Sequence, residues 1–311
     1  MTVDGVVTVS GLWAVAAAGL LAVLGYYAAA LDGALRARDD GASGLRLHTP
    51  ALEAARLLRQ RRRVTVAADR LLWRIGDGGL IVVALLMVAV VPLGRWTLFD
   101  LDVGVVWFNA MDVAVWALVW LAGWGANSLH SLVGGYRFLA QGLGYELPLM
   151  FALVAPAIAA ESLRVGGIAA AQHGLWFVVW MPVAFVVYCL GVAGFSVWGP
   201  MSAAVGADIA GGAGAELSGV DRLLFEAGRY GLLAAGAAFA VPMFLGGGAG
   251  PLLPDWLWVI VKTVVLLTVL VWLRRRLPLL RPDKFMEVGW LVLLPAVLVQ
   301  DLVVAVIAVW R

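Results

Sequence analysis

The residues with the most chemical potential are ionisable side chains set in apolar sequence. Asp112, Glu146, Glu226, Arg229, Lys262 and Asp301 each stand in runs that are otherwise hydrocarbon. At membrane depth such a group costs about 2.5–3.5 kcal/mol on insertion scales, so each is a candidate for function. Carboxyls in that setting take up and release protons. Glu146 lies in "YRFLAQGLGYELPLMF", two residues before Pro148, whose missing N–H frees a carbonyl upstream and favours a hydrated kink. Two kinds of reading stand for it: a proton-exchanging carboxyl in a partly wet pocket, or a structural group that caps the helix mouth or pairs with Arg137. Glu226 and Arg229 are three residues apart and share a helix face, the spacing of an ion pair. Lys262 and Asp301 fall in the last two apolar runs and either pair with each other or line a wet path. Asp112 has Asn109 as its nearest polar neighbour in sequence, and its readings are a proton site or an interhelical hydrogen bond.

Other chemistries find no support. The histidines, His48, His130 and His173, are far apart, Cys189 is the single cysteine, and no CxxC or HExxH spacing occurs. No phosphate-cradling glycine loop opens a helix after a strand. No metal site and no bound cofactor is expected in this chain, so any redox group belongs to another polypeptide. No basic soluble fold suggests nucleic acid as a partner.

The elements that must position these groups are membrane helices. Of 311 residues, 63% are hydrophobic and 14% charged, and there are 15 tryptophans, which favour the bilayer interface. A span needs about 20 apolar residues. Eight such runs occur, at 9–31, 74–94, 103–124, 143–162, 173–196, 223–246, 255–273 and 288–310. Backbone in lipid must satisfy itself, so they predict helices rather than a barrel. The fold class is all-α, a polytopic membrane protein of about eight spans forming a single membrane domain over 1–311. The first run lacks a basic leader and reads as a retained span. The connection from Asp32 to Leu72 carries nine arginines, and the last connection holds Arg274, Arg275, Arg276, Arg281 and Lys284. With eight spans these fall on one side, the cytoplasmic one, and both termini lie opposite. Within the first connection, "LHTPALEAARLLRQRRR" places Leu52, Ala55 and Leu58 at helical spacing, with Glu53, Arg56 and Arg59 on the other side. It predicts an amphipathic helix near 50–62 lying at the interface, against a plain solvated basic loop as the alternative.

Ordered blocks along the chain resemble the H-type (subunit 1) family of respiratory complex I, the NADH-quinone oxidoreductase. They are Gly123-Trp124, Asn127-Ser128, Gly134-Gly135-Tyr136-Arg137 and Ala140-Gln141 through Tyr145-Glu146. Further matches are Asp69-Arg70, "AELSG" at 215–219, "FLGG" at 244–247 and Trp272, Arg274, Pro278, Arg281, Asp283, Met286, Trp290 and Pro295. The resemblance implies a subunit that joins a peripheral redox arm to a membrane arm of the cell inner membrane. It implies a quinone (ubiquinone or menaquinone) as substrate, and iron–sulfur clusters and flavin in partner subunits. Antiporter-like and small membrane subunits are the other implied partners. By this resemblance Arg36, Glu53, Arg56, Asp208, Glu216, Arg274, Arg281 and Asp283 belong to the quinone chamber or to arm docking. Glu146, Arg137, Glu226 and Asp112 belong to a proton path.

The chain also departs from that pattern. The acidic loop after the fifth span is thinned: the first family glutamate falls at Gly194, the asparagine-arginine at Ser196-Val197, and of three later acids only Asp208 remains. A glutamate in the next span falls at Arg229. Seven glycines between Gly194 and Gly219 loosen the loop. These losses imply a divergent paralogue. They leave open an energy-converting hydrogenase or formate hydrogenlyase subunit, a stand-alone ion transporter, and an uncoupled anchor.

Overall fold

The computed structural model describes residues 5–41, 47–206 and 211–310. Its helices, in chain order, begin with α1 (Trp13–Asp39), α2 (Thr49–Arg59), α3 (Arg70–Val88), α4 (Gly104–Gly125) and α5 (Leu129–Ala160). There follow α6 (Val165–Ala170), α7 (Phe177–Trp180), α8 (Pro182–Phe195) and α9 (Gly219–Phe244). The chain closes with α10 (Asp255–Leu273), α11 (Pro282–Val288) and α12 (Leu294–Val309). A π-helical turn at Gly289–Leu293 joins the last two. The strands among the described residues are two short ones, β1 (Val7–Thr8) and β2 (Trp96–Thr97), paired in parallel. The protein is an all-α polytopic membrane protein.

Seven helical stretches are long and apolar enough to cross a bilayer among the described residues. The eighth expected span is α9, which carries Asp221, Arg222, Glu226 and Arg229 and is correspondingly less apolar. It nevertheless runs the length of the bundle. At one end β1 pairs with β2, Arg164 pairs with Asp100, and Gly246 packs under Trp176. At the other, Asp32 pairs with Arg274 and Arg275, Arg62 with Asp221, and the Leu280 amide donates to the Pro200 carbonyl. Helix α9 has Asp221 at the second end and Gly246 just beyond it at the first, so it joins both.

This helix is also the hub. Every residue from Gly231 to Phe244 is buried. Its small residues explain how, since glycine and alanine let backbones close in where lipid gives no hydrophobic drive. A β-carbon at Gly228 would lie 2.4 Å from Leu80 of α3, and one at Gly236 would lie 2.6 Å from Val192 of α8. Phe239 stacks on Phe108 of α4 at 3.8 Å between ring centres, and Tyr188 of α8 donates to the Gly236 carbonyl at 2.8 Å.

Several boundaries differ from those expected. Helix α1 runs on to Asp39, past the expected end at 31, so Asp32 and Arg36 are helical. The fourth span begins at Leu129, not near 143, because Gly134, Gly135 and Gln141 are helical and buried against neighbours rather than lying in a loop. The fifth begins at Pro182; the stretch before it folds into the short helices α6 and α7. The interfacial helix ends at Arg59, where Gln60 turns extended. Its Leu57 is buried, while Leu52 and Leu58 stay 61% exposed, an uncovered apolar stripe suited to an interface.

Candidate functional site: a carboxyl pocket and an arginine hub

Two polar centres are built into the bundle. The first lies between α4 and α5. Because α5 starts early, Glu146 sits in mid-helix, and its side chain meets α4. Asn109 donates from Nδ2 to Glu146 Oε1 at 3.3 Å. Tyr145 donates its hydroxyl to Asp112 Oδ1 at 3.3 Å and accepts from Trp116 Nε1 at 3.0 Å. Asn109, Asp112 and Trp116 are spaced three and four apart on α4, one helix face. Asp112 is fully buried. The two carboxyls are in electrostatic contact, yet Asp112 Oδ2 and Glu146 Oε2 are both buried with no bond completed. Buried polar atoms ask for partners, and a proton or a water molecule between these two would satisfy both.

The pocket's far wall is α8. Gly194 stands where the resemblance leads one to expect a glutamate, and a β-carbon there would lie 2.5 Å from the Tyr145 ring. Gly194 therefore makes room for the tyrosine that holds Asp112. Its carbonyl accepts from Gln141 Nε2 at 3.0 Å, tying α8 to α5.

The second centre sits at the arginine-rich end. Asp32, 1% exposed, accepts from Arg274 at 2.9 Å, from Arg275 at 2.8 Å and from Arg36 at 3.4 Å. The Tyr230 hydroxyl lies 3.5 Å from the same carboxylate. Arg274 also covers the face of Trp198, 4.4 Å from the ring centre, and Trp198 meets Tyr230 edge-on. Burial pushes the Arg274 guanidinium below its ordinary value, and Asp32 works against that shift. Between the centres, Arg229 pairs with Glu226 at 2.9 Å, as the spacing predicted, and also donates to the Val197 carbonyl.

The expected chamber residues do not converge in one cavity. Arg36 and Arg274 meet at Asp32. Glu53 and Arg56 pair with each other on the exposed side of α2, where the Arg56 hydrogen bond holds Glu53 below the usual carboxylate range. Arg281 and Asp283 form another exposed pair at 3.0 Å. Glu216 accepts from Ser128 at 2.7 Å and so ties the loop after α8 to the start of α5. Asp208 lies outside the described residues. A cavity of about 520 Å³ between α1, α3 and α10, lined by Trp13, Leu20, Leu24 and Trp256, opens at the end away from the arginines.

Of the proton-path set, Asp112 and Glu146 are brought together and Glu226 pairs with Arg229. Arg137 is not beside Glu146: nine residues before it, at about 3.6 residues per turn, it points to the opposite side of α5. Lys262 and Asp301 do not pair either. Lys262 donates to three loop carbonyls, whereas both Asp301 oxygens are buried without a partner. Sequence reasoning missed Asp32, Arg275 and Asp77. Asp77 in α3 is buried, with neither carboxyl oxygen bonded. An aspartate closing the run "AAALD" was the one available signal for Asp32; its arginine partners Arg274 and Arg275 come from the far end of the chain.

Comparison with known proteins gives the family of the chain. A profile of the family described as NADH dehydrogenase matches residues 39–305. The chain is 35% identical over 274 residues to the H-type subunit, numbered 1, of the NADH-quinone oxidoreductase of Geobacter metallireducens, covering 84% of this chain and 83% of that one. It is 34% identical over 266 residues to the H-type subunit, numbered 2, of the same enzyme in Geobacter sulfurreducens, covering 82% and 80%. Against the corresponding subunit of Cereibacter sphaeroides, also numbered 2, it is 38% identical over 220 residues, covering 70% and 69%. None of the three is named for a hydrogenase. The chain thus belongs to the NADH dehydrogenase family, among the H-type membrane subunits of NADH-quinone oxidoreductase.

Proposed function

We propose that this chain is the junction subunit of a complex I-like quinone oxidoreductase, placed between an iron–sulfur peripheral arm and antiporter-like membrane subunits. Its arginine-rich end supplies one wall of a quinone chamber. The second wall comes from the peripheral arm, because Glu53, Arg56, Arg281 and Asp283 face outward rather than into a cavity of this chain. Arg274 and Tyr230, both partly exposed, stand at that wall, with Trp198 buried behind Arg274. A guanidinium and a phenol suit the polar edge of a quinone head, which needs hydrogen-bond donors as its oxygens gain electrons. Electrons arrive from clusters held by partner chains.

The proton path runs through Asp112 and Glu146. One observation carries it: the buried Asp112 and the half-buried Glu146, on packed helices, are in electrostatic contact, each with one buried oxygen unbonded. Tyr145 and Asn109 hold the other two oxygens, which leaves one oxygen of each carboxyl free to exchange a proton. The basic end faces the cytoplasm.

The test is Glu146→Gln in the assembled enzyme, purified and returned to liposomes. Proton uptake per electron pair should fall by at least tenfold, and the complex should still assemble. Pumping at the parent ratio would overturn the reading, since the amide keeps the Asn109 contact and removes the exchangeable proton.

A further inference from the structure

One cationic group has no role in either centre. Lys262, on α10, directs its ammonium into the turn between α9 and α10. Nζ donates to the carbonyls of Leu245 at 2.7 Å, Gly247 at 2.8 Å and Ala249 at 2.8 Å. It also lies 4.1 Å from the ring centre of Trp176 and 5.8 Å from that of Trp258. Among the described residues no acid lies within ion-pair distance. A lysine ammonium has three donors and no acceptor. Three carbonyls and aromatic faces are therefore a complete coordination shell, the kind that aromatic cages give to alkylammonium ligands.

The turn is shaped to offer that shell. Gly246 and Gly247 have φ of +70° and +52°, which a side chain rarely adopts. A β-carbon at Gly246 would lie 2.5 Å from Trp176, and one at Gly250 would lie 2.3 Å from Trp258. Both tryptophans can close over the turn only because these positions carry no side chain. Gln172, itself buried, holds the outer side: it donates to the Pro242 carbonyl at 2.7 Å and accepts from the Gly246 amide at 2.9 Å and the Phe177 amide at 3.2 Å. Gln172 thus anchors the Leu245–Gly246 peptide, and the lysine gathers the carbonyls of 245, 247 and 249.

We propose that residues 245–249 with Trp176 and Trp258 form a receptor for a primary alkylammonium ion, occupied by the chain's own Lys262, and that this internal ligand clasps shut the end of the bundle away from the arginines. The clasp joins α9, α10 and the α6–α7 connection through one charged atom. Truncating the lysine loosens the turn and leaves a space that a small external ammonium can fill to close it again. The inference stands apart from the proton path, which uses none of these residues.

The experiment uses the assembled enzyme carrying Lys262→Ala. Amide exchange over 245–250 should quicken by about tenfold or more as the turn opens. Adding n-propylammonium, which supplies the missing carbons and the ammonium, should restore protection saturably. Tetramethylammonium, with no N–H, and sodium chloride at equal ionic strength should not. Parent-like exchange in Lys262→Ala, or equal rescue by all three salts, would overturn the proposal. If that variant does not accumulate, Trp176→Leu carries the same test, since it leaves lysine and carbonyls intact. Faster exchange of the turn supports the receptor; unchanged exchange refutes it. Lys262→Met with lost pumping but full protection of the turn would instead make the lysine a proton-path group and also end the proposal.

Discussion

A buried carboxyl is informative only once its partners are known, and three aspartates here show three outcomes. Asp32 is fully partnered by arginines. Replacing it with alanine leaves Arg274 largely buried without an acid and Arg275 with only Asp39 at 4.0 Å, and stranding a buried charge in this way typically costs about 3 kcal/mol or more. Asp32→Ala should therefore lower the thermal midpoint of the subunit in detergent and reduce its assembly, whereas Arg36→Ala, with its side chain 57% exposed, should change little. Asp77 is the opposite case, buried and unbonded. Leucine shares its branching at Cγ and needs no partner, so Asp77→Leu should raise the midpoint, by about 1–3 kcal/mol in stability terms. A lower midpoint would mean that water or another subunit serves that carboxyl. Asp112 lies between these two, with one oxygen held and one free, the arrangement that exchange requires.

Helices position these groups by packing that depends on single β-carbons. The signature pair Gly134-Gly135 separates cleanly. A β-carbon at Gly134 would lie 2.0 Å from the Ala213 amide nitrogen, which is backbone and cannot step aside, whereas at Gly135 the nearest atom is 3.6 Å away. Gly134→Ala should abolish stable incorporation into membranes and Gly135→Ala should not, as measured by the amount of assembled subunit. Much at this scale was legible in the sequence. Hydropathy located the spans, and helical spacing joined Glu226 to Arg229. It failed where polarity is local but burial is tertiary. Gly134, Gly135, Gln141 and Glu146 read as the mouth of a span because nothing in sequence shows that α4, α8 and the 212–213 segment cover them. The same limit hid Asp32, whose counter-ions come from the far end of the chain. Lys262 and Asp301 invited pairing by charge, but three backbone carbonyls are closer to the lysine than any acid.

At the level of the whole molecule, the arrangement is a bundle with unlike ends. One end gathers the arginine loops, the Asp32 hub and the uncovered stripe of α2. The other gathers the β1–β2 pair, the Lys262 clasp and the apolar cavity at α1. The proposed function needs the first end to face the cytoplasm; with α9 as an eighth crossing beside the seven apolar stretches, both ends of α1–α12 would lie opposite it. Cys189 is partly buried within α8, so replacing it with serine gives a background suited to site-directed labelling. Leu252, fully exposed in the α9–α10 turn region, and Val66, 91% exposed after α2, then report the two ends. In spheroplasts a membrane-impermeant maleimide should react with Leu252→Cys within minutes. It should reach Val66→Cys only after the membrane is opened and the peripheral arm stripped away. The reverse pattern would put the arginines outside, where no redox arm can dock and the quinone wall would have no partner. Labelling of both sites from one side would mean that α9 does not cross, and would overturn its reading as the eighth span.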